Sequence, residues 1–221
     1  ESIRRHRNGR HTREKNYRYA CEVFSKVPVK PGKKKRVGIT GEIYMKYSKL
    51  GNDDIESFLL RQGMEPYSGG FVNYCLYLVD TERYKAEKYQ HNPIMVKACA
   101  FVLHRLCEAQ KHLLTVIGET DRFQTDLPFP ELKEKVQGIL AEGCNTGDGW
   151  LIAAEVIQYV EKGCGSVLIL HPFRCLVSHV CERGILQRLH ARFPDVSIQT
   201  IEYDYDQSKT LRESRILLGI S

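Results

Sequence analysis

The chain has 221 residues, 42% of them hydrophobic, and a formal charge of +6. That length buries a full core, as one large domain or two small ones. No apolar stretch approaches the ~20 residues that span a bilayer, and the Arg-rich first residues have no apolar run behind them. A soluble, cytoplasmic protein is therefore expected, with no membrane partner.

Residues 1–36 hold thirteen Lys/Arg against three Asp/Glu, a local charge of about +10, so the remainder carries about −4. The basic character thus belongs to the N-terminal segment. It lacks the interleaved aromatics and glycines of an RNA-binding surface, so no nucleic-acid partner is expected. Residues 1–24 are expected to be helical, and the Pro- and Lys-rich stretch Val27–Lys35 to be a linker. These give a basic helical extension over 1–35, followed by one α/β domain over 36–221.

Arg36-Val37-Gly38-Ile39-Thr40-Gly41-Glu42 reads as a first strand entering a Gly-containing turn. Asn52 or Asp53 can cap a helix over Asp53–Gln62 that stops at Gly63. Gly69–Val79 is apolar and ambiguous, with helix favoured. Met95–Leu114 carries Val96, Ala100, Val102, Leu103, Leu106, Leu113 and Leu114 in helical spacing. It predicts a long amphipathic helix with Cys99 and Cys107 filling core.

A helix over Pro130–Leu140 follows, then the loop Gly143–Trp150 and a helix over Leu151–Lys162. Ser166–Leu170 and Val196–Ile201 are strands, and Ser178–Phe193 and Ser208–Leu218 are helices. This alternation predicts a three-layer, Rossmann-like α/β domain with a parallel sheet and right-handed crossovers.

Eight cysteines are scattered through these elements with no Cys-x-x-Cys pair, unlike a disulfide framework or a zinc ribbon. Cys175 stands out because it follows the strand Ser166–Leu170 and precedes a helix. Ligands gather beyond the carboxyl ends of parallel strands, and a helix N-terminus favours thiolate. The alternative is a small core thiol without chemistry. Cys144 is a second thiol, in a Gly-rich turn, and Cys75 is expected to pack.

Glu42 and Asp204 lie at two other strand ends, where a carboxylate can handle a proton or cap a loop. His179 can donate to the site or to a loop carbonyl. Arg215 can pair with Asp204. No Walker motif or dinucleotide Gly-x-Gly-x-x-Gly occurs, so the chain itself is not expected to hydrolyse ATP.

Four segments, in order, resemble a known family. Val37-Gly38-Ile39-Thr40-Gly41-Glu42-Ile43-Tyr44 with Asn52 is similar to the Val-Gly-Ile-Val-Gly-Glu-Ile-Tyr segment of acyl-CoA dehydratase activase-related proteins. These are relatives of 2-hydroxyglutaryl-CoA dehydratase and benzoyl-CoA reductase components. Gly147-Asp148-Gly149-Trp150-Leu151 with Glu155 resembles their Gly-Glu-Gly-Trp-Leu-Leu and following Glu. Pro172-Phe173-Arg174-Cys175-Leu176, with His179, Gly184 and Ile185, resembles Pro-Phe-Gly-Cys-Leu-Pro-Asn-His. Tyr203-Asp204, Ser208 and Arg215-Ile216 resemble the closing pattern. The departures are Arg174 for Gly, Val177-Ser178 for Pro-Asn, and Leu211–Ser214 for Asn-Gln-Leu-Asn.

The resemblance covers about 36–221 and implies the C-terminal portion of a larger iron–sulfur protein. There a [4Fe–4S] cluster passes single electrons to an acyl-CoA thioester after an ATP-hydrolysing activator has injected them. It implies Cys175 as a thiolate ligand to the metal. Cys144, which the family motif does not supply, is a second candidate ligand by its place in an exposed Gly-rich turn, and Glu42, Asp204 and His179 are candidate catalytic groups by their places at two strand ends and in the first turn of a helix. The remaining ligands would come from further lobes of the larger protein. The competing expectation is a non-catalytic α/β scaffold or interaction domain, suggested by Arg174 beside the thiol.

Overall fold

The computed structural model describes residues 10–29 and 32–220, except for the side chains of residues 10–12. The part of the expected first helix over residues 1–9 lies outside the described residues. Its remainder is α1 (Arg10–Ser25). There follow β1 (Arg36–Gly41), α2 (Ile43–Tyr47), α3 (Ile55–Arg61), β2 (Glu65–Tyr67), α4 (Phe71–Lys88), α5 (Pro93–Gly118) and α6 (Phe129–Lys135). The chain ends in α7 (Gly149–Glu161), β3 (Ser166–Pro172), a π-helical turn (Ser178–Glu182), α8 (Arg183–Arg192), β4 (Ser197–Tyr203) and α9 (Lys209–Ile220).

The residues fall into two compact units. One takes the chain through Gly32 together with Cys75–Pro130, and the other takes Lys33–Tyr74 and Glu131–Ser221. The boundary therefore differs from the expected division at residue 35, because Cys75–Pro130 groups with α1 rather than with the sheet.

The second unit is built on a four-stranded, all-parallel sheet in the order β2-β1-β3-β4. Val37 pairs with Ser166 and Gly41 with Leu170, while β3 pairs with β4 from Ser166–Ser197 to Pro172–Tyr203. Strand alternation divides the side chains between two faces. Val37, Ile39, Leu168, Leu170, Ile201 and Tyr203 pack with Ile55, Phe58 and Leu59 of α3 and with Ile216 and Ile220 of α9. On the other face α7 crosses β1 and β3, and α8 crosses β4. The result is the three-layer, Rossmann-like α/β architecture that the βαβ alternation predicts.

Two glycines permit the close approaches. A Cβ on Gly38 would lie 2.8 Å from the Tyr159 ring of α7, so the helix can settle directly on the strand. Gly41 has φ +132°, and a Cβ there would overlap the Leu170 carbonyl oxygen at 2.0 Å. Eleven of the thirteen residues of α7 are buried. That is why this helix is apolar all round rather than on one stripe.

In the first unit, α1 packs against α5. Arg18 joins the two by pairing with Glu119, and Arg122 donates to the carbonyls of Ser25 and Val27. The expectation that α5 contributes a core stripe is corrected. Of its 26 residues only Gln110 and Val116 are buried, and Phe101, Val102 and Leu106 are exposed. Cys99 and Cys107 are half-buried rather than core, and Cys75 is exposed rather than packed. All eight cysteines are free thiols. Among the described residues no helix is long and apolar enough to cross a membrane.

Candidate functional site

The carboxyl ends of β1 and β3 meet the head of α7 in a buried network. Thr40, one residue from the end of β1, donates its hydroxyl to Glu155 at 2.5 Å. Lys46 of α2 donates to both Glu155 oxygens at 2.8 Å. The two charged side chains are only 3% and 5% exposed. Burial alone would lower the lysine pKa, but the Glu155 charge reverses this and holds the ammonium well above the ordinary lysine range. Lys46 is thereby held as the ammonium.

Glu42 caps α2, its carboxylate accepting from the Met45 amide at 3.0 Å while its own N–H donates to Leu170 O at 2.8 Å. Of the two roles expected for Glu42, its contacts are those of the loop cap. Asp148, at the head of α7, accepts from the Ile43 amide at 3.3 Å. Burial pushes its carboxyl up to about 7, and the Glu42 and Glu155 charges add to the rise, against the Ile43 amide and Lys46. Glu182, on the π-helical turn, is fully buried. Burial pushes it up to about 7 as well, the Ser178 hydroxyl pulling the other way and the Asp148 and Glu42 charges adding to the rise. Two carboxyls in one neighbourhood thus exchange protons near neutral pH.

Cys175 occupies the turn beyond β3. Its N–H donates to Pro172 O at 3.2 Å, and its carbonyl accepts from both the His179 amide at 3.1 Å and the His179 ring at 2.8 Å. A carbonyl only accepts, so His179 carries its proton on Nδ1. The loop-carbonyl role expected for this histidine is the one its ring performs. The His179 ring meets His171 edge-on at 5.5 Å. His171 is fully buried, burial lowers its pKa, and its Nε2 has no partner among the described residues.

Arg174 takes the left-handed conformation at φ +58°, with its guanidinium 4.8 Å from the Phe173 ring centroid. Glycine would adopt that φ without strain, and the resembling family has glycine there.

Cys144 approaches from the other loop. Gly147 (φ +57°) lets that loop close on Val177, since a Cβ would come within 3.1 Å of the valine. The Cys144 thiol lies beside the buried Cys181 thiol; burial pushes the Cys181 thiol up, and Cys175 lies near it as well. Sequence reasoning singles out Cys144 and Cys175 but assigns no role to Cys181, Lys46, Asp148 or Glu182. Glu155 offers a signal: a lone carboxylate inside an otherwise apolar helix requires a partner. Among the described residues no three His, Cys, Asp or Glu side chains form a group that could hold a metal ion.

Asp204 stands apart from this network in its hydrogen bonds. Its carboxylate accepts from the Asp206 amide at 3.2 Å, an Asx turn. The expected Asp204–Arg215 pair is corrected. Arg212, in register with the buried Ile216 and Ile220 on α9, turns inward and pairs with Asp53, whereas Arg215 is exposed.

The fold and this strand-end network define a parallel α/β unit with a titratable, thiol-bearing edge. No family model, curated protein or solved structure matches the chain.

Proposed function

We propose that the chain is a lobe of an iron–sulfur electron-transfer protein of the 2-hydroxyacyl-CoA dehydratase activase-related type, working with an ATP-hydrolysing activator and an acyl-CoA substrate. The observation that supports this reading best is the placement of Cys175. Its half-buried thiol sits on a turn beyond a central parallel strand, where ligands collect, and its backbone is clamped by His179. Cys175 would ligate a [4Fe–4S] cluster, which supplies one-electron chemistry when bound. A cubane takes about four protein ligands, so the remaining thiolates come from further lobes.

In this reading His179 orients the Cys175 turn, and Asp148 and Glu182 hold or release protons beside it as the local charge changes.

The test is iron and sulfide analysis of the protein purified anaerobically with the lobes that complete its ligand set. Cys175→Ala is expected to lose the cluster and the visible absorbance, and Cys75→Ala to keep both. Full iron retention in Cys175→Ala overturns the assignment and leaves the scaffold reading, to which Arg174 in place of glycine lends its weight.

A further inference from the structure

Three thiols from separate segments come together at the carboxyl edge of the sheet. Cys144 stands in the turn before α7, Cys175 in the turn after β3, and Cys181 in the π-helical turn. We propose that Cys144 and Cys181 form a reversible disulfide when the chain meets a hydroperoxide, which makes this edge a redox-sensitive site. The inference is independent of the cluster assignment, because Cys175 takes no part in the bond.

Packing brings the pair together from two sides. The Cys144 amide donates to Ala141 O at 2.9 Å, and the Cys144 carbonyl accepts from the Trp150 amide at 2.8 Å, so its backbone is anchored to the head of α7. Gly147 lets the loop that follows close on Val177, three residues before the turn's second thiol-bearing position begins to face inward. From the other side, the Arg183 amide donates to Ser178 O, the i to i+5 bond of a π turn. That turn packs on α7 and buries Cys181 while its neighbour Val180 stays exposed. Cys144 is thus the direct neighbour of Cys181, whereas Cys175 reaches it only through space. Two thiols held side by side are the geometric precondition of a disulfide.

The two differ in access, which sets the order of the steps. Cys144 is half-buried and within reach of a small oxidant, while Cys181 is buried. Hydrogen peroxide oxidises the Cys144 thiol to the sulfenic acid, the O–O bond breaking and one water leaving. The Cys181 sulfur then attacks the sulfenic sulfur. The S–S bond forms, the S–O bond breaks, and the hydroxyl departs with the Cys181 proton as a second water. The bond ties the loop at the head of α7 to the turn that follows Cys175, and a thiol reductant releases it.

The test is to treat the reduced full chain with hydrogen peroxide, alkylate it, digest it without reductant and map it by mass spectrometry. A peptide cross-linked through Cys144 and Cys181 is expected, and dithiothreitol should abolish it. Dimedone, which captures sulfenic acids, should label the exposed Cys75 in the wild type but label Cys144 about tenfold more in Cys181→Ala, where the resolving thiol is gone. Cys144→Ser, a change at a half-buried turn, should leave Cys181 reduced. Oxidation of Cys181 in that variant overturns Cys144 as the thiol that peroxide meets. Absence of the cross-link, a link from Cys175 to either thiol in its place, or equal labelling of Cys144 with and without Cys181 overturns the disulfide and leaves the pair as packing neighbours.

Discussion

A carboxyl that titrates near 7 when folded and near 4 when unfolded holds its proton more tightly in the folded chain. For Asp148 and Glu182 that sign means stability falls as pH rises from about 4 through about 7 and stays low above it. Replacement by the neutral amide removes the loss. Asp148→Asn and Glu182→Gln should each gain ~1–2 kcal/mol over wild type at pH 8 and nothing at pH 4. His171, kept neutral by burial, loses stability as pH falls below its ordinary range, so the variant-minus-wild-type difference is the quantity to follow by urea unfolding. A difference that does not vary with pH would show that neither group titrates in that window. Lys46 and Glu155 lead to the opposite expectation. Glu155→Gln strands a buried ammonium and should cost ~3–5 kcal/mol, while the double variant Lys46→Met with Glu155→Leu should recover most of it in the denaturant midpoint. Equal midpoints for the single and double variants would remove the pair from the account. Of these residues Asp148 and Glu155 are legible in the sequence, as members of a resembling segment, but the contacts they make are not. The lysine partner of Glu155 lies 109 positions away, a distance no local pattern reports.

Secondary elements whose pattern is local are readable, and those fixed by their neighbours are not. β1, β3 and β4 stand out as short β-branched runs between turns. β2 does not, because Glu65–Tyr67 has three residues with a proline at its centre, tolerated only because it forms the edge of the sheet. The helix expected over Ser178–Phe193 begins instead as the π-helical turn Ser178–Glu182. That turn places Cys181 and Glu182 in buried positions, and such irregularities gather where function or strain requires them. The α5 stripe has the right period, yet Val102 and Leu106 stay exposed and Val96, Leu103, Leu113 and Leu114 are only half-buried, since periodicity reports a face and not what covers it. The element most dependent on a single residue is the β1–β3 ladder. Gly41→Ala would drive a Cβ into the Leu170 carbonyl at 2.0 Å with φ at +132°, and should cost more than ~2 kcal/mol. Gly63→Ala, at φ +77° with open space around it, should cost only ~1 kcal/mol. Similar costs in thermal unfolding would mean that β1 and β3 are not held by this contact.

The two compact units differ in how their helices are secured, and the difference sets where the whole molecule opens first. α7, in the sheet unit, buries eleven of thirteen residues and hydrogen-bonds through Glu155 to β1 and α2. α5, in the helical unit, buries two of twenty-six and is joined to α1 by the largely exposed Arg18–Glu119 pair. Exposed ion pairs contribute little, whereas apolar burial scales with the area withdrawn from water. The composition does not reveal this, since α5 carries as clear an amphipathic pattern as many core helices. Local opening of α5 therefore costs far less than opening α7, which comes undone only with the sheet. Hydrogen exchange followed by mass spectrometry should show amides of α7, β1 and β3 exchanging at least about a hundredfold more slowly than those of α5 at pH 7. Added salt should accelerate α5 further by screening its ion pairs while leaving α7 unchanged. Equal protection across α5 and α7 would mean that the helical unit and the sheet unit unfold as one cooperative body.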